Sequence, residues 1–337
     1  MRRRAILFFL ALTSLASPVE AQREPAKPPV TNFVTDSGGR ELIVRVLDVR
    51  QGDATYIRNG SSRVIIDGGP NPTAFGRYLD SLNLNNSTID VVILSHPHLD
   101  HYSGLRELFK TERHIHVRYL FENKDPAPAA TLAELRDSIL SRMDHDSLIY
   151  RDTDNPCSDG RPVCTIGMTG GATLDILAPN PKGDKANNRS TAVKLIGPDS
   201  ASFTMWLAGD AEHEEIGWFQ KTGYSRNPGM RVNVLKADHH GSCNGVTRRY
   251  LALTNPQWVV ASLAARNGYG HMHTQAKNIY RGARVPWYRT DQNGTITIRS
   301  PGTAGGGFTI TPERPGMNLS GPGDRRSPQP GCATRAK

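Results

Sequence analysis

Cysteine is scarce in this chain, with four among 337 residues, and none has the spacing of a cysteine-based metal site. A disulfide-dense scaffold and a zinc ribbon are both excluded. Long apolar runs are also missing. The longest, Ala5 to Leu12, falls well short of the roughly 20 residues needed to cross a bilayer, which excludes a channel or transporter. No low-complexity linker divides the middle of the chain, so one large domain is expected rather than two. What is present is 37% hydrophobic and 22% charged residues, the composition of a folded protein and not of a disordered one.

The formal charge is +9, which invites an anionic partner. Its placement weakens that clue. Arg2, Arg3 and Arg4 against Glu20 give residues 1–21 a net +2. Arg314, Arg325, Arg326, Arg335 and Lys337 against Glu313 and Asp324 give residues 312–337 a net +3, leaving +4 for the rest. That is too small to establish a nucleic-acid surface.

The three leading arginines, the apolar run and Val19-Glu20-Ala21 read as a cleavable secretory signal, 1–21, cut after Ala21. A retained anchor is the alternative. No cysteine follows the run, which argues against a lipoprotein. A secreted or periplasmic location is therefore expected, without a transmembrane segment once the signal is removed. Outside the cytosol thiols tend to oxidise. Cys157 and Cys164 flank a short turn-rich segment and are expected to pair, with Cys243 and Cys332 left to pair or stay free. Residues 22–40 read as a flexible leader, 313–337 as a solvated Pro/Gly-rich tail, and 41–312 as the folded domain.

Within that domain, β-branched runs broken by Gly, Asp or Asn predict strands at 42–49, 54–57, 63–66, 91–94, 117–121, 173–177, 192–196, 203–207, 232–235, 258–262 and 295–298. Helices are predicted at 73–82, 104–109, 130–143, 211–221 and 275–282. The alternation predicts layered α/β structure, with polar residues just past strand ends, where such folds build their sites.

One of those ends stands out. Val91 to Leu94 runs into Ser95-His96-Pro97-His98-Leu99-Asp100-His101, placing three imidazoles and a carboxylate within six residues. Residues two apart in an extended segment point the same way, so His96 and His98 can grip one metal ion while Asp100 and His101 face a second. Imidazole and carboxylate suit zinc, manganese or iron. Two divalent ions, zinc or manganese, are expected, about 3.5 to 4 Å apart as in dinuclear hydrolases. Further ligands are available past later strands, at Gly209-Asp210-Ala211-Glu212 and at His239-His240-Gly241-Ser242.

This set resembles the metallo-β-lactamase superfamily, and within it the hydrolase domain of ComEC-type competence proteins. The likeness extends over about residues 42–299. It includes Asp48-Val49-Arg50-Gln51-Gly52-Asp53, Ile66 to Pro70, Asn187 to Ser190, Lys236 to Ser242, Tyr269-Gly270-His271 and Tyr288 to Gly294. The resemblance implies an αββα four-layer sandwich. It also implies metal ligands His96, His98, Asp100, His101, Asp210 as the bridge, and His240. His239 is then left near the reaction centre as proton donor or substrate contact, although the two adjacent histidines can exchange these roles. His271 is implied to line the site, while His273 reads as a surface residue. Asp53 and Asp67 are either partners that orient imidazoles or loop caps.

Three departures matter. Asn187 and Asn188 stand where many superfamily members carry a third histidine for the first metal, a substitution ComEC-like domains share. Arg50 replaces a usual glycine, and Cys243-Asn244-Gly245 replaces a Lys/Thr/Ser-rich stretch. The implied chemistry is hydrolysis by a metal-activated water that Asp100 orients, with His239 or His271 protonating the leaving group. Such sites cleave phosphodiesters, lactams, lactones or thioesters. ComEC-type domains are credited with degrading one DNA strand during uptake, which puts DNA or another phosphodiester first as substrate. A hydrolase of small carbonyl compounds, including β-lactams, is the alternative, and a non-catalytic DNA- or surface-binding module the third reading.

Overall fold

The computed structural model describes residues 39–126 and 129–316. The expected signal, residues 22–38 of the leader and residues 317–337 of the tail lie outside the described residues. No helix among the described residues is long and apolar enough to cross a membrane.

The chain builds two sheets on the same plan. Strands β1 (Leu42–Val46), β2 (Ala54–Asn59) and β3 (Ser62–Gly68) run antiparallel. Strands β4 (Thr88–Leu94), β5 (His116–Glu122) and β6 (Ile149–Asp152) then add in parallel. The second sheet repeats this: β7 (Val163–Gly167), β8 (Thr173–Leu177), β9 (Ala192–Ile196) and β10 (Thr204–Leu207) are antiparallel. After them β11 (Val234–Lys236), β12 (Trp258–Ala261) and β13 (Trp287–Arg289) are parallel. Finally β14 (Ile296–Ser300) and β15 (Thr309–Pro312) return to the first sheet, where β14 pairs antiparallel with β1 and Leu42 lies opposite Ser300.

Helices cover the outer faces. On the first sheet these are α1 (Pro72–Ser81), the single turn α2 (Leu99–Tyr102) and α3 (Ala130–Asp146). On the second they are α4 (His213–Lys221), α5 (Arg248–Thr254) and α6 (Thr274–Gly282), with the short α7 (Thr290–Asn293) leading into β14. The result is the four-layer αββα sandwich.

The period of two along a strand explains the layering. Val91 and Ile93 of β4 join Val44, Ile66, Leu195, Met205 and Val260 in the core between the sheets. Their neighbours Val92 and Leu94 pack outward against Phe75, Leu79, Leu105 and Leu135. The second sheet does the same with Trp206, Leu235 and Val259 beneath Phe219, Tyr250 and Tyr280. A strand buried on both faces reads as an unbroken apolar run, as Val91 to Leu94 does.

Four differences from the sequence expectations have local causes. Strands β6, β7 and β15 carry mixed side chains with no fully buried residue, so they lack the apolar signal. Helix α5 starts where Thr247 Oγ1 accepts the Tyr250 N–H at 3.0 Å, a cap without a strong apolar stripe behind it. The predicted helix at 104–109 is a 3₁₀ segment, Ser103–Phe109. The fourth is a correction: Cys157 and Cys164 are free thiols, not a disulfide. Cys164 is held in the β7–β8 ladder opposite Ile176, and the Cys157 thiol donates to the Val163 carbonyl at 3.4 Å. Burial and a hydrogen bond with Cys157 push the Cys164 thiol up to about 12. Cys243 is disulfide-bonded, and Cys332, the partner weighed for it above, lies outside the described residues.

Candidate metal centre

The two sheets meet at the ends of β3, β4, β10 and β11, and a short network brings those ends together. Ser95, the residue after β4, donates its N–H and its hydroxyl to the two carboxylate oxygens of Asp67, both at 2.8 Å. The Ser95 carbonyl accepts the Thr191 N–H of the other sheet at 2.9 Å. Asp67 Oδ2 also lies 2.9 Å from His101 Nδ1, which turns Nε2 of that ring toward the centre of the cluster. Gly52 lets the loop after β1 close on the same place. Its φ is +138°, and a Cβ there would sit 2.2 Å from the Asp100 carbonyl oxygen, which accepts the Asp53 N–H at 3.1 Å.

Two groups of donors result, sharing Asp210. One holds Asp100, His101, Asp210 and His240, the other His96, His98 and Asp210, with the donor atoms of each group within 4.8 Å of one another. His240 Nε2 lies 3.2 Å from Asp100 Oδ2 and 3.4 Å from Asp210 Oδ2. His101 Nε2 is 3.3 Å from Asp210 Oδ1, and His96 Nε2 is 3.8 Å from Asp210 Oδ2 and 3.0 Å from His98 Nδ1. These are the six residues the motif spacing and the resemblance assembled from the sequence.

Whether they suit a cation can be tested on the atoms themselves. His101 Nε2, His240 Nε2 and Asp210 Oδ1 are buried without a hydrogen-bond partner. Buried polar atoms are rarely left so, and all three point into the same cluster. The charges agree. Burial opposes protonation of His101, but Asp210, Asp67 and Asp100 outweigh it and hold its pKa well above the usual imidazole range. His240 is raised in the same way against its burial by Asp210 and Asp53. Burial would raise Asp210, yet His240, His101 and His239 pull it well below a normal carboxylate. Asp100, where burial is outweighed by His101 and His240, falls to about 2. Carboxylates that retain protons on buried imidazoles are equally suited to retain a divalent ion, and the donor set fits zinc or manganese.

Around this core the neighbours divide the work. His240 Nδ1 lies 3.0 Å from the Ser262 carbonyl and 3.3 Å from Asp53 Oδ1, and Asp53 is itself gripped at 2.7 Å by the buried Lys236 ammonium. His239 lies outside both donor groups. Its ring is one-fifth exposed, with Nδ1 3.3 Å from Glu212 Oε1 and Nε2 3.7 Å from Asp210 Oδ2. His271 is buried, with its ring centroid 5.2 Å from that of His239 and 5.9 Å from that of His240. Burial and the charges on His240 and His239 lower it to about 2, so it stays a neutral imidazole. Asn187 donates to Glu212 at 3.0 Å and Asn188 to Asp184 at 2.7 Å, so both amides face carboxylates. His273 corrects the expectation of a surface residue: it is buried, with Nδ1 accepting the Cys243 N–H at 3.0 Å. Glu212 and Lys236 fall inside the segments Gly209 to Glu212 and Lys236 to Ser242 that the sequence marks, but the sequence assigns neither a role of its own. Their signal was position, next to Asp210 and at the end of β11, where a charged residue bordering an apolar strand must find a partner.

Residues 47–196, which contain the His96 to His101 loop, match the family model for the metallo-beta-lactamase superfamily, and the four-layer αββα sandwich is the fold of that superfamily. More particularly, the chain is similar to ComE operon protein 3 of Bacillus subtilis (strain 168), with 22% identity over 290 residues, covering 80% of this chain and 34% of that protein. It is also similar to the uncharacterized protein YcaI of Escherichia coli (strain K12), with 23% identity over 257 residues, 75% of this chain and 29% of that one. The chain thus spans about a third of the length of the curated relatives it matches. Among solved structures, the metallo-beta-lactamase fold protein YhfI from Bacillus subtilis aligns with a TM-score of 0.42 and 13% identity, over 70% of this chain and 93% of that one.

Proposed function

We propose that this domain, residues 41–312, is an exported, metal-dependent phosphodiesterase that acts on DNA. The observation that carries the reading is the pair of His/Asp groups sharing Asp210, with buried atoms of His101, His240 and Asp210 turned inward and lacking hydrogen-bond partners. The likeness to ComEC-type hydrolase domains supports a phosphodiester over a carbonyl substrate. The asparagines at 187 and 188, engaged with Glu212 and Asp184, support it as well, because they stand where a third histidine is common in other branches. The arginine-led segment at residues 2–12 supports export to the periplasm or medium.

His96, His98 and Asp210 would hold one ion and Asp100, His101, Asp210 and His240 the other. Bound there, zinc or manganese lowers the pKa of water and neutralises charge developing on the phosphate. The protein's own groups do the rest. Asp100, an anion well below neutral pH, orients the attacking water by accepting its hydrogen bond. His239, with Glu212 behind Nδ1, presents Nε2 toward the cluster and can pass a proton to the departing oxygen. His271, kept neutral by its surroundings, is placed to donate a hydrogen bond rather than add charge.

The test is a substrate panel: single-stranded DNA and a chromogenic phosphodiester against nitrocefin and lactones, each with zinc or manganese. Phosphodiester cleavage is expected, and purified protein should contain about one to two metal ions. Asp210→Ala and His96→Ala should each leave less than about a hundredth of the activity, beyond the loss typical of removing an outer partner. Turnover of nitrocefin or lactones with every phosphodiester intact would instead establish a carbonyl hydrolase. Protein unable to take up metal would establish a binding module.

A further inference from the structure

Among the described residues five large apolar side chains are exposed, and two of them, Leu99 and Tyr269, border site residues in the chain. Tyr269 is the more informative. Its side chain is 61% exposed, yet its ring is stacked on His271 with centroids 5.6 Å apart and planes inclined by 24°. His271 in turn lies 5.2 Å from the His239 ring. An aromatic ring with one face toward solvent therefore stands one imidazole away from the proposed proton donor.

The loop carrying it is braced. Asn267 donates to the Ala264 and His271 carbonyls at 3.0 and 2.6 Å and accepts the His271 N–H at 2.8 Å. The Tyr269 carbonyl lies 3.0 Å from His273 Nε2. A ring held this way loses little conformational entropy when something stacks on it. Arg266 in the same loop and Arg50 beside Gln51 are both exposed, and Gln51 reaches His271 Nδ1 at 3.5 Å. A braced aromatic ring open to solvent beside a hydrolytic site is the chemistry of a platform for an unpaired base.

Resting on the phosphodiesterase reading, we propose that Tyr269 stacks an unpaired nucleobase beside the scissile phosphate, so that the site selects single-stranded over duplex DNA. A base inside a duplex has both faces covered by its neighbours and offers nothing to the ring without being unstacked. Tyr269 is thus a specificity residue.

The experiment compares kcat/KM on a single-stranded oligonucleotide, the same sugar-phosphate chain with abasic positions, and a closed duplex. Wild type should prefer the base-bearing strand over both by roughly tenfold or more, the scale of one base–aromatic stack. Tyr269→Ala should erase most of the preference over the abasic chain, mainly through KM, while Tyr269→Phe retains it. Equal slowing of the base-bearing and abasic chains by Tyr269→Ala overturns the stacking role, because it marks a structural effect. So does a wild type that cleaves DNA with no base preference, which leaves the phosphodiesterase reading standing. A wild type that cleaves no phosphodiester overturns both.

Discussion

Asp67 shows how a single carboxylate can organise chemistry it does not perform. It takes two hydrogen bonds from Ser95 and faces Nδ1 of His101, so one buried anion fixes both the start of the His-rich loop and the tautomer of one proposed ligand. Burial raises its pKa, and His101 is the largest influence opposing that. Asp67→Asn keeps the shape but places an amide where two donors already point, so some hydrogen bonds must break. We expect zinc affinity to fall about 10–100-fold, as outer partners of metal-bound histidines generally show, measured by competition with a chromogenic chelator. Unchanged affinity would mean that His101 is held without its help. Lys236 plays the matching part for His240, through Asp53. Burial alone would push the Asp53 carboxyl up, but Lys236 and His240 bring it well below the usual range.

The elements place these residues through a few close approaches. At the end of β3, Gly68 meets Gly104 so tightly that a Cβ on Gly104 would lie 1.9 Å from the Gly68 oxygen and 2.8 Å from Phe75 Cβ. Gly104→Ala should therefore cost about 1–3 kcal/mol or more, seen as an earlier urea midpoint; an unchanged midpoint would show that the 3₁₀ segment can shift freely away from β3. The same scale explains what could be read in advance. Strands buried on both faces, such as β4 and β10, announce themselves by apolar runs, and the polar residues following them locate the site. Edge strands such as β6 and β15 carry no such signal. The thiol pair at 157 and 164 misled because eight residues can close a disulfide loop, whereas the β7–β8 ladder had already fixed the second cysteine. Lys236 and Glu212 are legible only once the pairing of distant strands sets them against Asp53 and His239.

For the molecule as a whole, the proposed ligands are divided between halves. His96, His98, Asp100 and His101 come from the first sheet's connections and Asp210 and His240 from the second's. Bound metal should tie the two sheets together. With the ion at about 100 times its Kd, linkage predicts roughly 2.7 kcal/mol of added stability, a rise in Tm of about 5 °C by calorimetry. Asp210→Ala should remove that rise; a rise that persists would place the ion elsewhere. The last strands carry a consequence of another kind. β14 lies beside β1, with Leu42 opposite Ser300, and β15 turns back along β14 until Pro312 lies opposite Ile296, so the first strand of the domain is locked in place by the last two. Like a clasp, this arrangement makes the two ends of the folded unit depend on each other, so that loosening either one opens the same edge of the first sheet.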